Sequence, residues 1–172
     1  MTKRILIVGD SGMGKSTMAE KLSKRINIHF YSTDDFYWKT KFTEINDKQK
    51  SIDDLGKIYD KNEWIVEGGT RHLTQRGIED ADTIYFLKFN NILLQYYCII
   101  RRSFGRKNER FIDLCKLLKH ITYKRFKKDY GNHLPSLEDM LKPYENKVIR
   151  LRSLKGIHRC LDGFTVENNC SC

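Results

Sequence analysis

The sequence predicts an α/β fold: a three-layer sandwich in which helices cover both faces of a mainly parallel, five-stranded sheet. Three observations predict it. Short apolar runs, each ended by glycine or polar residues, alternate with stretches of helical periodicity along the chain. The first of these runs, "RILIV", enters a turn with three glycines, a lysine and two hydroxyls before a helical pattern begins. The chain has 172 residues, enough to bury one core, and no repeat or linker divides it.

Taken in order, "RILIV" is a buried strand and residues Lys15 to Ile26 a helix, with Ala19, Leu22 and Ile26 at helical spacing. "NIHFYS" is the second strand. Asp47 to Asp60 places Ile52, Leu55 and Tyr59 on one helical face. "EWIVEG" is a third strand and "RHLTQRGIED" a short helix; "DTIYFLKF" is the fourth strand. Asn91 to Phe104 and Glu109 to Lys128 read as helices. Ser136 is placed as the N-cap of "LEDMLKPY". "KVIRL" is the fifth strand, and a last helix runs from about Ser153 to Leu161. The expected domain covers residues 1–165, with an acceptor-side helical region at about 34–62, an arginine-rich lid at about 101–110 and a disordered tail from 166 to 172.

Composition excludes several classes. Apolar content is 40%, and no run approaches the ~20 apolar residues that span a bilayer. "MTKRILIVGD" lacks the pattern of a signal peptide, so the expected location is the cytoplasm or an equivalent reducing space. Cys98, Cys115 and Cys160 sit among apolar neighbours and are expected to be small buried hydrophobes. Cys170 and Cys172 make a poor metal site by themselves. The formal charge is +10, and between Tyr96 and Tyr130 eleven Lys and Arg face three acidic residues. Such an excess suits a polyanionic partner, either nucleotide phosphates or a nucleic acid; for Lys116 to Lys128 a solvated helix face accounts for it equally well.

The chemistry-bearing motifs fall at strand ends, where ligands of parallel sheets bind. Gly9, Gly14, Lys15 and Ser16 match G-x-x-x-x-G-K-[ST] between a strand and a helix, the phosphate-binding loop of nucleoside-triphosphate sites. Glycines let the backbone curl so that N–H groups point at phosphate, and the helix adds its positive end. Gly12 supplies flexibility, Lys15 reaches the β- and γ-phosphates, the Ser16 hydroxyl is the Mg²⁺ ligand, and Thr17 supports the α-phosphate. In "YSTDDFYW", Asp34 or Asp35 can accept a proton from an acceptor hydroxyl, with Asp34 favoured, and Trp38 with Phe36 and Tyr37 can stack on a ring. The same stretch can instead be a helix cap with its aromatics in the core. "WIVEGGTRH" delivers Glu67, Gly68, Gly69 and Arg71 to the third strand end, for a metal shell or a substrate group, or as an ordinary strand-ending turn. "IIRRSFGRKNER" spaces Arg101, Arg102, Arg106 and Arg110 around Gly105 so that they can close over a polyphosphate.

On these motifs, with "ADTIYFL" and the late "KVIRLRSLKGIHRCL", the chain from Lys3 to about Leu161 resembles the small P-loop kinases related to adenylate kinase. More narrowly it resembles the DNA topology modulation (FlaR-related) proteins. The resemblance implies ATP and Mg²⁺ as cofactors, held by Gly9, Gly14, Lys15, Ser16 and Thr17, with Asp34 facing the acceptor and Arg102 and Arg106 in a lid. It departs from that subgroup at Glu67-Gly68-Gly69, where the usual reading is Asp-Gly-Asn, and no residue pattern here points to topoisomerase chemistry.

The expected function is therefore an ATP-dependent phosphotransferase acting on a small nucleotide- or nucleoside-like acceptor. Lys15, Asp34, Arg102 and Arg106 would serve catalysis, and Asp34, Asp35, Trp38, Glu67, Gly68 and Arg71 would meet the acceptor. A polynucleotide 5′-hydroxyl kinase is the second reading, and a nucleotide-gated DNA- or protein-binding regulator with little turnover is the third.

Overall fold

A computed structural model describes residues 3–40, 43–89, 91–104, 114–115, 118–119, 121–123 and 135–167. Strand β1 (Arg4–Gly9) is followed by α1 (Lys15–Ile26), β2 (Phe30–Ser32), α2 (Thr33–Tyr37), β3 (Trp38–Thr40), β4 (Glu44–Ile45) and α3 (Lys48–Tyr59). Then come β5 (Trp64–Gly68), α4 (Arg71–Asp80), β6 (Thr83–Leu87), α5 (Ile92–Phe104), α6 (Leu137–Leu141), a 3-10 turn (Lys142–Lys147), β7 (Val148–Leu151) and α7 (Leu154–Glu167).

The main sheet has the order β2-β5-β1-β6-β7, and all four of its pairings are parallel. The central strand explains the uninterrupted run of apolar residues that announces it. Side chains alternate between faces, and both faces of a helix-covered parallel sheet are buried. Ile5 and Ile7 pack with Met18, Ala19 and Leu22 of α1 and Ile157 and Leu161 of α7. Leu6 and Val8 pack on the other face with Leu55 and Tyr59 of α3, Leu73 and Ile78 of α4 and Leu141 of α6.

The helix ends follow local chemistry. Asp47 accepts the Lys50 N–H at 2.8 Å to cap α3, and Ser136 accepts the Asp139 N–H at 3.1 Å to cap α6, as its sequence position predicts. Asn27 closes α1 in the left-handed conformation at φ 54°, which asparagine tolerates because its side chain bonds locally. Among the described residues no helix is long and apolar enough to cross a membrane.

Three expectations change. The region 34–62 is not continuously helical: β3 and β4 form a small antiparallel hairpin between α2 and α3, placing Trp38 opposite Ile45. The last helix runs past Leu161 to Glu167, because Phe164 still packs on the core, edge-on to Tyr85 with ring centres 6.3 Å apart. Cys115 is exposed, and Cys98 and Cys160 are half-buried rather than buried. Cys115 shares an exposed helical face with Lys119, one turn on, while its apolar neighbours Leu114 and Leu118 take the half-buried side. Cys170 and Cys172 lie outside the described residues.

Candidate functional site

The site grows from the C-terminal ends of three adjacent strands. β1 ends at Gly9, and the loop to α1 contains Gly12 and Gly14 at φ 79° and 83°. These are left-handed conformations that glycine adopts without the Cβ clash other residues meet. The predicted loop residues Gly9, Gly12, Gly14, Lys15, Ser16 and Thr17 therefore lie together, on the turn and on the first residues of α1. Lys15 donates its Nζ hydrogen to the Asp10 carbonyl at 2.9 Å. The ammonium is thus held across the loop, where a phosphate oxygen would compete for it.

Beside this turn stands a carboxylate that the sheet register puts in place. Glu67 aligns with Ile7 of β1 on one side and with Ser32 of β2 on the other. Residues in register point to the same face, and Ile7 faces α1. Glu67 and Ser32 consequently point toward the N-terminus of α1, where Ser16 lies. The Ser16 hydroxyl donates to Glu67 Oε1 at 3.0 Å, and the Ser32 hydroxyl donates to the same oxygen at 2.8 Å. Glu67 is 4% exposed. A buried carboxylate needs such donors to offset lost hydration, and two hydroxyls from different elements supply them.

This oxygen set fits a small, hard divalent cation. Mg²⁺ is usually held by one or two protein oxygens, with phosphate and water oxygens completing the octahedron. Ser16 Oγ and the Glu67 carboxylate give such a pair next to the phosphate loop. Among the described residues no group of three or more His, Cys, Asp or Glu forms an all-protein metal cage.

The predicted acceptor residues are more scattered. Ser32, not either aspartate, caps α2 by accepting the Asp34 N–H at 3.4 Å. Asp34 and Asp35 occupy the first turn and are exposed. Of the three aromatics, Phe36 and Tyr37 pack against the core, whereas Trp38 stands half-buried on the hairpin, edge-on to Tyr37 at 4.9 Å. Gly68 ends β5 in close contact with α2: a Cβ there would lie 1.7 Å from Thr33 Oγ1. Arg71 begins α4 and donates to the Pro135 carbonyl at 3.2 Å, which ties it to the segment before α6. Arg101 is exposed near the end of α5; the side chain of Arg102, and Gly105, Arg106 and Arg110 entirely, lie outside the described residues.

One residue with a place in this site carries no motif. Ser32 joins the acceptor-side helix to the carboxylate beside the phosphate loop. His72 follows Arg71, with its ring 5.9 Å from that of Tyr37. Burial, reinforced by Lys48, lowers the His72 pKa, so its imidazole is neutral at neutral pH. Two clefts lie outside the cluster. One of about 200 Å³ is lined by Phe86, Lys88, Glu138, Arg150 and Arg152. The other, of about 280 Å³, lies between α3 and α4 and reaches His72. Neither includes a phosphate-loop residue.

Comparison with known proteins bears on the fold. A family model described as RNA helicase matches residues 5–67, less than half of the chain, from β1 through Glu67. An uncharacterized protein, YqaC of Bacillus subtilis (strain 168), is 38% identical over 73 residues, a match spanning 40% of this chain and 39% of that one. Solved structures match over nearly the whole length. Shikimate kinase from Bacteroides thetaiotaomicron superposes with a TM-score of 0.53 at 14% identity, covering 97% of this chain and 98% of that one. Shikimate kinase from Acinetobacter baumannii, solved with shikimate, gives 0.54 at 12% identity, covering 98% and 94%. A gluconokinase from Sinorhizobium meliloti gives 0.50 at 15% identity, covering 96% and 97%. At these identities the likeness is one of fold: the chain has the fold of the P-loop kinases.

Proposed function

We propose that the protein is an ATP-dependent phosphotransferase that moves the γ-phosphate to a small acceptor of nucleotide or nucleoside type. The observation that carries this reading is the hydrogen bond of Ser16 to the buried Glu67 at the mouth of a complete phosphate loop. The fold shared with shikimate and gluconate kinases supports a small-molecule acceptor. The sequence motifs shared with the DNA topology modulation proteins point to the subgroup, and the acceptor class follows from Arg71, the acidic pair and Trp38.

In this reading the loop N–H groups hold the β-phosphate, and Lys15 leaves the Asp10 carbonyl for the β- and γ-phosphates. Ser16 and Glu67 hold Mg²⁺, which when bound neutralises charge on the transferring group. Asp34, exposed at the start of α2, orients the acceptor hydroxyl and takes its proton. Arg71 binds an anionic group of the acceptor, Trp38 borders its ring, and Arg102 and Arg106 cover the phosphates. A polynucleotide 5′-hydroxyl as acceptor is the second reading. It is favoured by the match of residues 5–67 to a helicase model and by the +10 charge.

The test is a turnover assay with ATP and Mg²⁺ against a panel of nucleosides, nucleotides, shikimate, gluconate and 5′-hydroxyl oligonucleotides. Transfer of labelled γ-phosphate to one small acceptor, abolished by Lys15→Ala, is the expected result. Transfer only to oligonucleotides selects the second reading. No transfer, with unaltered ADP affinity in Lys15→Ala, overturns both.

A further inference from the structure

The carbonyl side of the phosphate loop is held in place by α5. A loop that turns N–H groups inward to cradle an anion turns carbonyls outward, and those that meet the protein interior need donors. Gln95, on α5 and 1% exposed, donates its side-chain Nε2 hydrogen to the Ser11 carbonyl at 2.9 Å. Ile99, one turn further along the same face and also 1% exposed, lies against the next loop residue. A Cβ on Gly12 would sit 2.3 Å from its Cγ1. The residue after that, Met13, is fully buried and its sulfur accepts the Phe89 N–H at 3.4 Å. Three successive loop residues are thus fastened by α5 and the segment leading into it.

We infer that Gln95 is a positioning residue of the nucleotide site, locking the Ser11–Gly12 peptide in the orientation that binds phosphate. The inference rests on the nucleotide reading above. In a trans peptide the C=O and N–H point in opposite directions. With the Ser11 oxygen drawn to α5, the Gly12 N–H faces away from α5, toward the cradle. Gly12 makes this orientation easy to lose, because glycine populates positive and negative φ about equally. A turned peptide would put a carbonyl oxygen where a phosphate oxygen belongs. The Gln95 amide opposes that turn with a buried hydrogen bond, and Ile99 fills the space that a shifted Gly12 would need.

Gln95→Met keeps the length and apolar body of the side chain and removes the donor; Gln95→Glu places an acceptor against the Ser11 oxygen. ADP affinity, read by calorimetry on the folded proteins, should fall about 10- to 100-fold in Gln95→Met and further in Gln95→Glu. Adenosine, which has no phosphate, should bind each variant as it binds the native protein. Native ADP affinity in Gln95→Met overturns the inference, as does an equal loss for ADP and adenosine, since that is the mark of a merely structural residue. Lys15→Ala is the control: native ADP affinity in that variant sinks the nucleotide reading and this inference together. Loss in Lys15→Ala without loss in Gln95→Met sinks only the inference. If neither Gln95 variant folds, NMR of the native protein decides. The Gln95 side-chain NH₂ should exchange slowly with water and shift on adding ADP; fast exchange and no shift would overturn the proposal.

Discussion

On the phosphate side, Lys15, Ser16 and Glu67 are each held by a hydrogen bond, and the supporting strand is wholly enclosed. On the acceptor side, Asp34 and Asp35 are exposed, Trp38 is on a hairpin of two short strands, and Arg71 reaches a separate segment. In the proposed reading, one half is organised before any ligand arrives, and the other offers groups that a ligand must gather. Triphosphate chemistry is the same whatever the acceptor, so its site can be built in advance. Acceptor recognition in such a scaffold is set by a thin outer layer that the core does not constrain.

The comparison breaks first at Asp34. Asp34→Asn should lower kcat ~10²–10⁴-fold, the usual worth of a general base, and leave ATP affinity within about twofold. Steady-state kinetics beside a nucleotide titration measures both. If Asp35→Asn shows the loss instead, the base is one residue later; if neither does, the pair serves only the helix start. Lys15→Ala should come next, at about 10²-fold or more in turnover, on the order of 3 kcal/mol of transition-state stabilisation. Here nucleotide binding weakens too, which separates the two halves in one pair of assays.

A smaller effect concerns the seam between them. Gly68→Ala forces a methyl group into the Thr33 side chain, which should cost about 1–3 kcal/mol. In a domain of this size that lowers the melting temperature by about 2–4 °C per kcal/mol. Thr33→Ala should recover part of the loss in the double variant. An unchanged melting temperature for Gly68→Ala would show that α2 is not pressed onto β5. The smallest expected effect is the pH response of His72. Its folded pKa lies below the usual value near 6.5 because burial and Lys48 disfavour the charged form. The unfolded chain then binds the proton more readily, so stability present above pH 6.5 declines as pH falls through the folded pKa. Urea titrations between pH 5 and 8 should show a flatter profile for His72→Gln than for the native protein.

Much of the phosphate side could be read from residues alone, because its signal is local: the glycines, Lys15 and Ser16 lie within eight positions, and strand and helix frame them. The sheet was legible for the same reason, since an apolar run such as Ile5 to Val8 has few other uses. Ser32 and Gln95 were not legible. Ser32 matters because β2 and β5 are neighbours in register, and Gln95 because α5 crosses the loop; neither fact has a sequence pattern. The hairpin at Trp38 escaped notice because its strands are three and two residues long, too short to show an alternating period. Cys115 misled for a related reason, since neighbours along a helix point to different faces.

The position of β1 in the sheet also bears on how the protein is made. Its partners begin at Trp64 and Thr83, so a strand completed at Gly9 has no place to pair until the ribosome has delivered the chain as far as Gly68, and its second edge stays open until Leu87 is made. Chains grow at roughly 5–20 residues per second, so Ile5 to Val8 spend seconds as an uncovered apolar segment with a free edge on each side. Such segments are what chaperones hold and what aggregates recruit. The strand that ends up best protected is the one with the longest exposure during synthesis.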